Sequence, residues 1–334
     1  MRTFVSPFDV PRRFTLPIAL LVAIVCAALP AAANAKRAMA PPVVGIADQH
    51  SDYINDPLFT ASGVNHGRLV VGWNAIYDDA QRADMDAYLN HAHAMNIDVL
   101  LTFGNAKGDG RNRPTPQALL GVFRAIRARY PWLTSFATWN EPNIQGGAPA
   151  LTARYWRALS RDCRTCTILA ADLVDTNNMK QWVRKFRRAA RREPRAWGLH
   201  NYVDANQFTA RGTRTLLKAT RGEIWLTETG GVVERHNNSL IVFETGLDHA
   251  ALAIRFIFQR LIPLSPRIRR VYLYNWRAQP GPTTWDSALT NADGTPRASY
   301  LELRSQLLRI GIQGFGRPGI PVPLPVLGGE LETP

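Results

Sequence analysis

A single-domain (β/α)8 TIM barrel is the fold this sequence predicts, and three observations predict it. Eight short apolar runs alternate with stretches of helical period, as parallel βαβ units require. The alternation occupies residues 43–310, close to the roughly 250 residues that eight such units need. The runs are nearly continuous in apolar residues, matching a sheet covered on both faces. Polar residues gather at their carboxyl ends, where barrels of this kind carry their active sites.

Taken in order, the first strand is Val43–Asp48, ending in Asp48, Gln49 and His50. Arg68–Trp73 is the second, and a helix from Asp79 to Met95 separates it from the third, Asp98–Phe103. A loop rich in Gly, Asn and charge covers 104–114. The helix after it, Pro116–Arg129, stops before Tyr130-Pro131 because a residue preceding proline disfavours helical backbone. Ser135–Trp139 is the fourth strand, and Pro142 blocks further ladder pairing. Helix Pro149–Asp162 leads to the fifth strand, Thr167–Asp172. In the next helix, Asn178–Arg192, Trp182, Val183, Phe186, Ala189 and Ala190 share one side and the arginines take the other. The sixth strand is Ala196–His200. The seventh ends at Glu228, just before two glycines that let the backbone turn, and the eighth is Arg270–Trp276. Helices near 246–261 and 297–308 complete the alternation, and the Gly/Pro-rich tail 311–334 is expected to be extended or coil.

The amino terminus reads as a signal peptide over residues 1–35. Arg2, Arg12 and Arg13 precede an apolar stretch, Leu16–Ala32, and Ala33-Asn-Ala35 is a small-x-small cleavage site. Residues 36–42 are then a linker, and the mature chain is expected to be secreted or to lie in the cell envelope. Ile24 and Val25 put Cys26 outside a lipoprotein context. Removing the signal leaves Cys163 and Cys166, for which a small structural disulfide is expected in an oxidising compartment.

The 334 residues are 46% hydrophobic, enough for one sizeable core, and carry a net charge of +14. Such a balance favours anionic partners. Read chiefly as solvated helix faces, the arginines imply loose association with anionic cell-envelope polymers and no nucleic-acid partner. A monomer is expected. The chain has no Gly-x-Ser-x-Gly, no phosphate-cradling Gly-x4-Gly-Lys-Ser/Thr and no His-Glu-x-x-His, so neither a cofactor nor a metal is implied.

Two stretches carry chemistry. Ser135-Phe-Ala-Thr-Trp-Asn-Glu-Pro-Asn143 delivers Glu141 at the end of the fourth strand, and Glu223-Ile-Trp-Leu-Thr-Glu228-Thr-Gly-Gly231 delivers Glu228 at the end of the seventh. Strands four and seven face one another across a barrel mouth, so the two carboxylates form the pair that glycoside hydrolysis requires. One protonates the leaving oxygen and the other attacks or supports the sugar carbon. Glu141 is expected to have a raised pKa, through the negative charge of Glu228.

Trp139-Asn140-Glu141-Pro142, followed by Thr227-Glu228-Thr229-Gly230, resembles the motifs of glycoside hydrolase clan A, and within it family 39-like proteins. His200-Asn-Tyr-Val-Asp204, Tyr274-Asn-Trp276, Asp286-Ser287 and Asp293-Gly-Thr-Pro-Arg297 support the resemblance, which covers about 43–310. It implies a retaining (β/α)8 glycosidase with Glu141 as acid/base, Glu228 as nucleophile and Asn140 donating to the sugar 2-hydroxyl. It also implies that His200 and Tyr202 orient the nucleophile or bind sugar, and that Arg68 supports the nucleophile. Trp73, Trp139 and above all Trp276 are expected as stacking platforms, with Asp48, His50, Asp172 and Asp286 as subsite residues. The expected partner is a poly- or oligosaccharide. A non-catalytic carbohydrate-binding barrel is the alternative, but binding alone does not need both glutamates. An anion-binding envelope protein is a third.

Overall fold

In a computed structural model of the protein, residues 40–110, 112–236, 242–281 and 283–312 are described. The signal segment, linker residues 36–39 and tail residues 313–334 lie outside them. Parallel strands form a nearly closed barrel: β1 Val43–Ala47, β2 His66–Gly72, β3 Asp98–Gly104, β4 Ser135–Ala137, β5 Thr167–Leu169, β6 Asp172–Val174, β7 Ala196–His200, β8 Glu223–Thr229 and β10 Ile268–Tyr274. Two short strands, β9 Glu234–Arg235 and β11 Trp285–Asp286, pair antiparallel above the barrel wall.

The order β5-β4-β3-β2-β1-β10-β8-β7-β6 is that of an eight-unit barrel whose fifth strand is broken. Its first half, β5, pairs with β4, and its second half, β6, pairs with β7. Between the halves, Ala170 N donates to Ala196 O and Asp172 N donates to Trp139 O, so the seam stays hydrogen-bonded.

Side chains alternate along each strand as the pleat demands. Val44, Ile46, Leu69, Val71, Val99, Leu101, Phe136, Trp197, Leu226 and Leu273 join the main core between sheet and helices. Ala47, Leu100, Ala137, Leu169, Ala196, Trp225 and Tyr272 form a separate cluster inside the barrel. Several of these are alanine, which leaves room at the axis for larger polar groups above.

The helices begin where capping chemistry allows. Asp78 Oδ1 accepts from Gln81 N at the start of α2, Asp79–Ala94, and Thr115 Oγ1 accepts from Ala118 N at the start of α3, Pro116–Arg129. Proline opens both α3 and α4, Pro149–Asp162. Helix α5, Met179–Ala190, buries Trp182, Val183 and Phe186 as its period requires. Helices α1 (Pro57–Ser62), α6 (Tyr202–Asn206) and α7 (Arg211–Ala219) were not expected from the sequence; they are short or carry few apolar residues. The helix expected over 246–261 is α8, Leu247–Phe256, continued by a wider turn over 257–261. The last helix is α9, Ala298–Arg309. Cys163 and Cys166 are joined as a disulfide between α4 and β5.

Two glycines separate steric from conformational roles. A Cβ on Gly198 would sit 1.9 Å from Asp172 Oδ1 and 2.8 Å from Thr227 Oγ1, whereas one on Gly121, inside α3, meets nothing within 4 Å. Gly198→Ala should therefore cost about 1–3 kcal/mol or more through forced displacement. Gly121→Ala should add roughly 0.5–1 kcal/mol by helix propensity. Urea midpoints of the two variants check both signs.

Candidate active site

The upper ends of the strands converge on a buried guanidinium. Arg68 of β2 is fully buried. Its Nη1 donates to Glu228 Oε2 at 2.9 Å, and its Nη2 donates to Asn140 Oδ1 at 2.8 Å and to Asp172 Oδ2 at 2.8 Å. His200 Nε2 lies 3.2 Å from the same Nη2, and Thr102 Oγ1 donates to Asp172 Oδ2 at 3.1 Å. Burial works against charge on Arg68. Asp172 and Glu228 outweigh it, and the pKa of Arg68 is raised.

Local backbone puts the two glutamates on this cluster. A register shift between β7 and β8 sets His200 opposite Glu228, where the preceding pairing of Gly198 with Trp225 would set it opposite Thr227. After β4 the alternation slips, turning Trp139 outward and Asn140 inward. Glu141 then takes a left-handed backbone, φ 47°. Side chains other than glycine rarely adopt it, and surrounding hydrogen bonds hold it there. Glu141 N donates to Asp172 O, and Glu141 O accepts from Ile144 N and Gln145 N.

Glu141 and Glu228 meet on one imidazole. His200 Nδ1 is 2.9 Å from Glu141 Oε1 and 3.8 Å from Glu228 Oε2, so these oxygens are separated by at most the sum of the two contacts, about 6.7 Å. Tyr202 Oη donates to Glu228 Oε1 at 3.2 Å, and Gln145 Nε2 donates to Glu141 Oε2 at 3.1 Å. A guanidinium can only donate, so a neutral His200 turns its lone pair on Nε2 toward Arg68 and its proton on Nδ1 toward Glu141. Burial opposes charge on His200, but the Glu228 carboxylate and the bond to Glu141 outweigh it and the pKa is raised. On Glu141 burial favours the neutral acid. The hydrogen bond and charge of His200 outweigh that, Arg68 and Gln145 add to them, and the pKa is lowered. This reverses the sequence expectation of a raised Glu141, because the group in contact with it is the imidazole rather than Glu228. The cluster can hold a proton against one carboxylate while a guanidinium grips the other.

Of the residues expected from sequence, Arg68, Asn140, Glu141, His200, Tyr202 and Glu228 are brought together. Three tryptophans are not. Trp276 is fully buried among Tyr53, Phe59 and Tyr300, with its Nε1 on Asp56 Oδ2, so it is a core residue and not a platform. Trp139 is buried against Tyr155 outside the barrel, and half-buried Trp73 packs on the same core. Asp48 is also buried: it accepts from His50 N and Trp276 N and ties the ends of β1 and β10 together. Asp172 lies beneath the site, on Arg68, and Asp286 is paired with Arg297. Neither lines an open subsite.

The aromatics that do border the cluster are Tyr274 and Trp285. Half-buried Tyr274 packs against the apolar cluster inside the barrel, and burial, then the charges of Glu228 and Asp48, push its phenol up to about 12. Half-buried Trp285 stands edge-on to Tyr202 at 4.8 Å. Tyr274 ends its strand two residues before Trp276, so strand length was the signal that distinguished them. Trp285 had no comparable signal. Among the described residues, no group of three or more His, Cys, Asp or Glu is arranged to hold a metal ion.

A family model described as glycosyl hydrolase catalytic core matches residues 77–247. No curated protein matches the chain in sequence. Among solved structures, xylanase 10B from Thermotoga maritima is similar at TM-score 0.59 and 11% identity, over 80% of this chain and 95% of that one. A glucosidase from Croceicoccus marinus is similar at 0.58 and 12%, over 81% and 68%. A family 39 glycoside hydrolase from Bacteroides cellulosilyticus is similar at 0.52 and 13%, over 83% and 64%. The chain thus spans under two thirds of the family 39 enzyme. These neighbours share the TIM-barrel fold of glycosidases.

The buried pair Arg68–Asp172 sets a stability expectation. Arg68→Met removes the ionic partner of buried Asp172 and should cost about 3–5 kcal/mol. Adding Asp172→Asn should restore part of that, because Asp172 no longer lacks a cation and only the less buried Glu228 still does. Urea denaturation of the single and double variants measures the coupling; a double variant as unstable as the single would contradict the charge-pair account.

Proposed function

The chain belongs to the glycosyl hydrolase catalytic core family, and we propose that it is an exported retaining glycosidase acting on O-glycosidic bonds of a poly- or oligosaccharide by double displacement. The observation that carries this reading is the meeting of Glu141 and Glu228 on His200 Nδ1, within about 6.7 Å of each other. Retaining enzymes hold their carboxyls about 5–5.5 Å apart, and inverting ones about 6.5–9.5 Å to admit a water. An upper limit of about 6.7 Å between these two oxygens supports the closer arrangement.

In this mechanism Glu228 is the nucleophile. Arg68 and Tyr202 fix its two oxygens. Glu141 protonates the leaving oxygen with the proton it shares with His200 Nδ1. Formation of the glycosyl ester removes the Glu228 charge, and Glu141 then acts as base on the incoming water. Asn140, whose Oδ1 is held by Arg68, has its amino group left for the sugar 2-hydroxyl. Tyr274 and Trp285 offer ring faces to the sugar in place of Trp276. Export rests on the signal segment, and the Cys163–Cys166 disulfide suits an oxidising compartment. Among the described residues no helix is long and apolar enough to cross a membrane.

The two carboxylates are separable by leaving group. Glu141→Ala should still form the glycosyl-enzyme from an aryl glycoside with an activated leaving group, which needs little protonation, whereas Glu228→Ala should not. The wild-type first product, observed by proton NMR before mutarotation, should keep the substrate's anomeric configuration. An inverted first product would sink the mechanism.

The shared proton also sets the alkaline limb of kcat/KM. The raised pKa of His200 keeps the proton in the pair above the ordinary imidazole range, so activity is lost as pH rises through that raised value. In His200→Asn the proton rests on Glu141 alone. The limb should then move to lower pH, and kcat/KM should fall by roughly a hundredfold, the lower end of general-acid contributions. An unmoved limb would remove His200 from proton holding.

A further inference from the structure

The opposite face of the barrel carries a groove that the reaction does not use. It lies at the amino-terminal ends of the strands, among the end of α4, the disulfide loop, the loop after α5 and the loop before β8, and has a volume of about 840 Å³. Five arginines from these separate segments line it: Arg161, Arg164, Arg192, Arg195 and Arg221. All five are exposed, and none is in an ion pair among the described residues. Two carboxylates share the lining and are already engaged. Glu193 pairs with Arg187 and accepts from Arg221 N, and Glu223 accepts from Trp225 Nε1. Five guanidiniums thus converge against two occupied carboxylates, in a concavity that focuses their field. The disulfide fixes the short loop that presents Arg164 at the rim.

We propose that this groove is a second binding site, for a chain of acidic polysaccharide, carboxylated or sulfated. Guanidinium forks pair with the oxyanions of such a chain in two-pronged fashion, and their spread over four segments suits repeated charges better than one small ion. Nucleic acid is less well served. The aromatic residue in the lining, Trp156, is buried with Arg192 stacked 4.7 Å over it, leaving no open face for a base. A bilayer surface is excluded by shape, since the site is concave and none of the exposed large hydrophobic residues lines it. Thr167, Ala196 and Glu223 begin the strands whose far ends lead to Asp172, His200 and Glu228, so the groove lies roughly 17 Å below the candidate active site, at about 3.3 Å per residue. A chain bound there leaves that site open. The groove holds the protein on an anionic polymer while its other face works.

The test uses the full mature chain carrying Glu228→Gln, so that no probe is cut, and measures binding to polygalacturonate and to dextran sulfate at low salt. Binding to at least one is expected, weakening steeply with added salt as paired counterions are released. Arg164→Glu/Arg195→Glu, in the groove, should weaken it by roughly tenfold or more, while Arg184→Glu/Arg188→Glu, the same charge change on the open face of α5, should weaken it by about threefold or less. Thermal unfolding of each variant verifies that it is folded. Failure to bind either polysaccharide overturns the proposal, as do equal losses for the two variants. Tighter binding to oligothymidylate or to phosphatidylglycerol vesicles than to both polysaccharides also overturns it.

Discussion

A guanidinium buried at the axis of the barrel is the constraint on which the upper half of the structure depends. Arg68 gives up water and must recover its hydrogen bonds from protein. Asp172 returns a full charge, Glu228 a second, and Asn140 a carbonyl oxygen. The surroundings are shaped to allow this. Ala47 and Ala137 keep the interior layer thin near Arg68, and Gly198 leaves the space that Asp172 Oδ1 fills. With two carboxylates on one cation, the cluster carries its negative charge at a fixed place, on the oxygens that face the opening.

Much of this was legible in the sequence, and the reasons are physical. Glu141 and Glu228 stand where apolar runs end in proline or paired glycines, and such breaks mark the carboxyl ends of strands. Arg68, at the polar end of the second apolar run, was legible only through the resemblance to clan A. What the sequence hid is set by register. Trp276 looked like a platform because it closes a strand-end motif, yet Tyr274 is the last strand residue, and Trp276 turns into the core onto Asp56. Trp139 failed similarly, because alternation slips after Ala137. The direction of the Glu141 shift was hidden as well, since it depends on His200 reaching Glu141 across 59 positions of chain.

The two ends of the barrel solve opposite electrostatic problems. At the carboxyl end Arg68, Asp172, Glu228 and Glu141 each have a charged or hydrogen-bonding partner within about 3 Å. At the amino end the arginines are exposed and the carboxylates among them are engaged elsewhere. Water and salt reduce the cost of that repulsion at an exposed rim, whereas burial would not. The arginines of the groove can therefore coexist with the compensated cluster at the other end, because they lie where solvent screens them.

The break in the fifth strand connects these features. An unbroken strand would carry its ladder evenly between β4 and β7 and offer no carboxylate at this depth with a free peptide beside it. Because the strand is interrupted after Leu169, Asp172 enters with its N–H on Trp139 O and its carbonyl on Glu141 N. Its side chain meanwhile holds Arg68, which holds Glu228. One residue thereby fixes the backbone that aims Glu141 and the cation that aims Glu228. The placement of both glutamates thus runs through the peptide and the carboxylate of one residue. The spacing of the pair is thereby set from inside the sheet.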